Sequence, residues 1–216
     1  MPVRALSRFL IVAASVVAAL AKPLPATAHP HAWIDLRSTA VVDADGRMVA
    51  IEQHWLFGDF YSAYILEDIK ASGTEVIQGL RDTARANLIE LAAYDYFTKV
   101  RHGAEAIDFA NVETFETGVI NGRVYLAFRL DFLSPLDLAE HSASYAVYDP
   151  TYYIEVLHAE GIKPDVRQQA NACRASLTEP DPTYEQIVFA SSLDQDESGG
   201  NGLGEVFAEW VTVECP

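Results

Sequence analysis

The sequence predicts an α+β domain: antiparallel strands with one long helix and a few short helices packed against them, closed by one disulfide. Three observations lead there. Apolar residues alternate along 33–57, the period of half-buried strands, and they recur at spacings of three and four along 77–91, the period of an amphipathic helix. Two cysteines, Cys173 and Cys215, sit in a chain whose first residues read as an export signal.

That signal has Arg4 and Arg8 as its basic start, Phe9 to Ala21 as its apolar stretch and Ala26-Thr27-Ala28 as its cleavage site. The apolar stretch falls short of the roughly 20 residues that span a bilayer. Residues 1–28 are therefore expected to be removed, and 29–216 to form a single periplasmic domain with no membrane insertion. In an oxidising compartment the cysteine pair is expected to form the disulfide Cys173–Cys215, closing a loop of roughly 40 residues worth about 3–4 kcal/mol.

The elements follow in order. Trp33 to Val42 and Arg47 to Phe57 read as a strand pair around the turn Asp43-Ala44-Asp45-Gly46. Asp59 to Ile69 reads as a short helix. Ser72 and Glu75 form an S-x-x-E capping box ahead of the long helix, whose apolar face is Ile77, Leu80, Ala84, Leu88 and Leu91 and which is expected to run to about Tyr96. Strands are expected at 97–102, 106–109 and 112–117, and at 124–132 after an Asn121-Gly122 turn, with Ser134-Pro135 as a break. Further strands are expected at 144–148, 152–157, 173–177 and 210–215, with short helices at 184–192 and 205–209.

Charge narrows the function. Loss of Arg4, Arg8 and Lys22 with the signal takes the formal charge from −16 to −19, which excludes nucleic acid and anionic lipid as natural partners. No G-x-S-x-G elbow, H-E-x-x-H, P-loop or dinucleotide fingerprint occurs, so the chain reads as a binding protein and not an enzyme.

The densest ligand chemistry is at His29-Pro30-His31. Cleavage after Ala28 would leave His29 with a free amine beside its own imidazole, and His31 adds a second imidazole, a nitrogen set suited to nickel, cobalt, zinc or copper. Pro30 has no N–H to deprotonate, which closes the square-planar mode that uses the intervening amides. His54 and a carboxylate such as Asp35 are candidates to complete the site, because a hairpin turning at 43–46 brings positions near 54 opposite positions near 35. His102, His141 and His158 lie near turns or strand ends without local partners and are expected to be solvated. A second pattern, Asp194, Asp196, Ser198 and Glu205, fits a calcium-loop template, although Asn201 stands where an aliphatic buttress belongs and the glycines favour a flexible acidic loop. Two other readings stay open: a non-metal interaction module, and a copper oxidase of the histidine-brace type.

The ordered series H-P-H-A-W-I-D after the signal, Q-H-W-L-F-G-D-F-Y-S at 53–62, Y-D-Y-F-T at 94–98, V-Y-D-P-T-Y-Y at 147–153, Cys173 and F-A-E-W-V-T-V-E-C at 207–215 resembles the family known as domain of unknown function 1007. Members are exported bacterial proteins often labelled periplasmic components of an uncharacterised ABC-type transport system. The resemblance spans essentially all of 29–216. It implies a metal-binding accessory of a nickel/cobalt or zinc transport system, with an inner-membrane transporter as partner. Carried over residue by residue, it marks His29, His31, His54 and Asp149 as site positions.

Overall fold

The computed structural model describes residues 30–104, 107–168, 173–194 and 197–216. Strands β1 (Ala32–Val42) and β2 (Arg47–Phe57) form the expected hairpin, and their register pairs Ile34 with Phe57, Arg37 with His54 and Ala40 with Ile51. Asp43 builds the turn, its carboxylate accepting from the backbone of Asp45 and Arg47. Helix α1 (Asp59–Ser72) ends on Gly73, whose φ of 72° is the left-handed cap that glycine adopts without strain.

Helix α2 (Val76–Leu91) starts one turn later than its sequence signal suggested. Glu75 is the N-cap and accepts from Ile77 N, whereas Ser72 closes α1. The capping box forms instead at helix α3 (Tyr184–Ser192), between Thr183 and Gln186. Beyond α2 a 3₁₀ segment (Ala92–Phe97) leads into β3 (Thr98–Arg101). Then come β4 (Phe115–Ile120) and β5 (Arg123–Asp137), joined by Asn121 and Gly122 with φ of 52° and 83°, the two positive values a tight hairpin turn needs. Ser134-Pro135 does not break β5, which runs on to Asp137: Met48 pairs with Leu136 and Ala50 with Asp131, so Pro135 falls in the register shift between them, where a strand tolerates a residue without an N–H. The strand expected at 106–109 reduces, among the described residues, to a bridge between Phe109 and Phe132. The remaining elements are β6 (Ala143–Val147), β7 (Ile154–His158), β8 (Asp165–Arg167), β9 (Arg174–Thr178), α4 (Leu203–Val206) and β10 (Trp210–Glu214).

The strands form two sheets. The larger has the order β4-β5-β2-β1-β7, with β8 pairing β1 further along the same edge, and the smaller has the order β3-β6-β10-β9. Pairing is not wholly antiparallel as expected, since β7 and β8 both run parallel to β1. The sheets face each other through Ala40, Met48, Ile51, Tyr145, Val211 and Val213, which are fully buried. The rest of the larger sheet's inner face, at the Ile34, Trp55 and Leu126 end, is covered by Ala84 and Leu88 of α2. Cys173 and Cys215 form the expected disulfide, fastening the start of β9 to the end of β10. No helix among the described residues is long and apolar enough to cross a membrane.

Candidate functional site

Where α2 and the smaller sheet meet over the inner face of the larger one, neither covers it completely. The gap is a cavity of about 620 Å³, within the 300–1,000 Å³ range of small-molecule sites. Strand alternation builds its floor: Ile34, Trp55 and Leu126 all point inward from adjacent strands. The Trp55 indole is fixed from two sides. It stacks on Phe97 at 6.3 Å and 11°, and its Nε1 donates to Gln53 Oε1 at 2.9 Å. Gln53 in turn donates to Thr98 Oγ1 at 2.9 Å, so a buried polar group is satisfied while it locks the ring. Phe57 and Tyr61 continue the aromatic wall, 5.1 Å apart. Burial raises the Tyr61 hydroxyl above its ordinary pKa, an Asn87 hydrogen bond pulling the other way, and burial with nearby Glu205 raises Tyr148. Both phenols are therefore neutral at physiological pH.

Two loops complete the rim, and both hold non-glycine residues in the left-handed region. Asp95, Tyr96 and Phe97 have φ of 55°, 54° and 57° in succession, and Tyr152 has 61°. Each such residue costs about 1 kcal/mol or more. The first run is held by Tyr148 N donating to Phe97 O at 2.8 Å and Thr98 Oγ1 donating to Tyr96 O at 3.1 Å. The second is held by Asp149. Its Oδ1 accepts from Thr151 N and Oγ1, both at 2.9 Å, and its Oδ2 accepts from Ile154 N at 3.1 Å. The Y-D-Y-F and Y-D-P-T stretches of the sequence are thus strained turns that aim Tyr94, Phe97 and Tyr148 at one space.

The candidate metal ligands are spread along this edge and beyond it. His29 lies outside the described residues. His31 enters β1 with its backbone N donating to Tyr153 O at 2.9 Å and its ring 4.7 Å from the Tyr153 ring. Asp149 is near it, since Ile154 pairs with Ala32, but its carboxylate is engaged in the turn. Asp35 is held by Arg123, whose Nη1 lies 2.7 Å from Oδ2 while Nε and Nη2 donate to Phe57 O and Leu56 O. His54 sits opposite Arg37, six residues along β1 from His31, or about 20 Å at strand rise. On the outer face of the sheet it stacks on Tyr125 at 5.2 Å and 10°. Burial, then Arg37, pushes its imidazole below the usual pKa. Among the described residues no three His, Cys, Asp or Glu side chains converge.

Of the calcium-loop residues, Asp196 lies outside the described residues. Asp194 is exposed, Ser198 Oγ accepts from Gly200 N at 3.2 Å, and the Glu205 carboxylate pairs with Arg101. The Arg101 guanidinium also lies 3.7 Å above the Trp210 ring.

Two histidines expected to be solvated are buried. His102 is 6% exposed, its Nε2 2.9 Å from Asp137 O. His158 has a side chain only 4% exposed, with Nδ1 2.7 Å from Glu209 Oε2 and Nε2 2.8 Å from Ser38 Oγ. The Ser38–His158–Glu209 row has the spacing of a nucleophilic triad, but Ser38 is 3% exposed and its hydroxyl also meets Tyr145 OH at 2.8 Å, so the row serves as a tie between sheets. Sequence offered no signal for it, because His158 is 120 positions from Ser38 and 51 from Glu209.

The cavity draws on four of the six stretches singled out in the sequence: Ala32 and Ile34 from the first, Trp55 and Phe57 from the second, then Tyr94 and Phe97, then Tyr148 and Asp149. An uncharacterised protein of Haemophilus influenzae (strain Rd) is 24% identical over 196 residues, covering 87% of this chain and 91% of the relative. The model of the family described as "Protein of unknown function (DUF1007)" matches residues 14–215, nearly the whole sequence, and the chain belongs to that family.

Proposed function

We propose that the protein is an exported, periplasmic binder of a divalent transition metal that serves an inner-membrane metal transporter. The observation that carries this reading is the anchoring of His31. A His-Pro-His terminus is useful as a ligand set only if it is held, since chain ends ordinarily fray. Here the His31 backbone is hydrogen-bonded to Tyr153 and its ring packs on the Tyr153 ring, at the start of a strand paired on both sides. The ligands in this reading are the amine and imidazole of His29 and the imidazole of His31. Asp35 and His54 are engaged elsewhere, so the remaining positions go to water or to a side chain of the transporter. Such an open site suits a protein that hands its metal on.

The test is calorimetric titration of signal-cleaved protein with nickel, cobalt, zinc and copper, beside a His29→Ala, His31→Ala double variant. Micromolar or tighter binding that disappears in the variant supports the reading. Equal affinity in both proteins sinks it, and a first residue other than His29, read by mass spectrometry of the exported protein, removes the amine ligand.

A further inference from the structure

We infer that the cavity between α2, the larger sheet and the two strained loops is a binding site for a small organic cation with a flat apolar body. This goes beyond the metal reading and does not rest on it, because among the described residues no histidine lines the cavity.

Size and shape come first. About 620 Å³ accommodates a molecule of drug or metabolite size, and the floor and near wall are ring faces and aliphatic groups: Trp55, Phe57, Phe97, Ile34 and Leu126. Trp55 is held by the Gln53–Thr98 hydrogen bonds and by Phe97, so the wall is rigid before any ligand arrives. A preformed aromatic wall favours flat apolar bodies and lowers the ordering cost of binding.

Charge then chooses the sign. Among the described residues, three ionisable side chains other than tyrosine line the cavity: Glu90, Lys99 and Asp149. Lys99 is already neutralised, its Nζ 2.6 Å from Asp95 Oδ2. The Asp149 carboxylate accepts three hydrogen bonds from its own turn. The carboxylate of Glu90, on the last turn of α2, is exposed and forms no hydrogen bond or ion pair with the other described residues. The uncommitted charge lining the cavity is therefore negative, and it shares that cavity with Tyr94 and Phe97, whose rings attract cations through their quadrupoles. The formal charge of −16 adds a field of the same sign.

The backbone supplies an independent observation. Both loops that close the rim contain non-glycine residues in the left-handed region, Asp95 to Phe97 in one and Tyr152 in the other. Such strain is retained where surrounding contacts over-determine it, and it concentrates at ligand clamps. Here it orients Tyr94, Phe97 and Tyr148 towards the same space.

The test uses signal-cleaved protein in buffer containing a metal chelator, titrated by calorimetry with three probes sharing one ring: phenethylamine, 2-phenylethanol and phenylacetate. The expected order is phenethylamine tightest, at least about tenfold tighter than the alcohol, with the anion weakest. Glu90→Gln, an exposed change that leaves the core intact, is expected to bring the amine to within about twofold of the alcohol. Tyr94→Ala is expected to weaken the amine about threefold or more. The His29→Ala, His31→Ala variant is expected to bind all three probes as the parent does, which separates this site from the metal reading. Equal affinity for amine and alcohol, tighter binding of phenylacetate, an unchanged profile in Glu90→Gln, or no binding of any probe at millimolar concentration would overturn the assignment.

Discussion

Ser38 Oγ and Tyr145 OH lie 2.8 Å apart across the interface between the two sheets, from residues 107 positions apart in sequence. Ser38 also meets His158 Nε2, and His158 Nδ1 meets Glu209 Oε2, so four side chains from β1, β6, β7 and the approach to β10 form one row. Burial pushes the Tyr145 hydroxyl far above its ordinary pKa, with the Ser38 hydrogen bond a smaller opposing effect. The row therefore stays hydrogen-bonded and neutral at its Tyr145 end. At its other end Glu209 Oε2 accepts from both His158 N, at 2.6 Å, and the His158 ring.

Glu209→Ala should accordingly destabilise the protein by about 1–3 kcal/mol, because it leaves two buried groups of His158 without their acceptor. Tyr145→Phe, which removes one hydroxyl and leaves the ring packing, should cost about 1 kcal/mol. Urea unfolding followed by circular dichroism measures both. A smaller loss for Glu209→Ala than for Tyr145→Phe contradicts the row as described.

The disulfide joins residues separated by 42 positions. Constraint of the unfolded chain by a loop of that length is worth about 4 kcal/mol in the chain-entropy account. The Cys173→Ala, Cys215→Ala variant should lose a large part of that in denaturant unfolding while keeping its far-ultraviolet spectrum at low temperature. A variant as stable as the parent would show that the cross-link adds nothing to packing already present.

Gly204 is where α4 passes over the Asp149–Pro150 turn. A Cβ there would fall 1.8 Å from Asp149 O, a backbone atom, while Gly204 N donates to Pro150 O at 3.1 Å. Gly204→Ala must push the turn aside, at a cost of about 1–3 kcal/mol or more. The same movement displaces Tyr148 and Asp149 from the cavity rim, so probe affinity in the calorimetric titration should fall as well as thermal stability. Unchanged values for both would mean that the approach is looser than drawn.

His54 gives a pH signature. Burial, and then Arg37, holds its folded pKa below the ordinary value of about 6.5. In the interval between those two values the unfolded chain binds the extra proton, so its contribution to stability is full above about pH 6.5 and is lost as pH falls through that interval. His54→Gln should therefore flatten the fall in unfolding free energy between about pH 7 and pH 5. An equal slope in variant and parent would assign the pH dependence to other groups.

Local pattern was enough for much of the framework. Alternation fixed the β1–β2 hairpin, Asn121-Gly122 marked the β4–β5 turn, and the short helix expected at 184–192 is α3. Each is settled by residues within a few positions of one another. The capping box at Ser72 failed for a physical reason: α1 continues far enough to take Ser72 as its own last residue, leaving Glu75 to cap α2 alone. The candidate site was legible only as fragments. The sequence showed aromatic stretches and a histidine-rich start, and neither announced a shared cavity.

What the sequence by itself determined is therefore the class of the fold, its disulfide and most of its turns. What only the tertiary structure decided is which side chains meet. Asp35 is committed to Arg123, 88 positions away, and His158 to Ser38, 120 positions away. β7 and β8 lie parallel to β1, and four separate stretches wall one space. Hydrophobic period and turn chemistry act over a few residues, whereas strand order and sheet facing are set by burial of the whole apolar surface at once, and no local pattern encodes that sum.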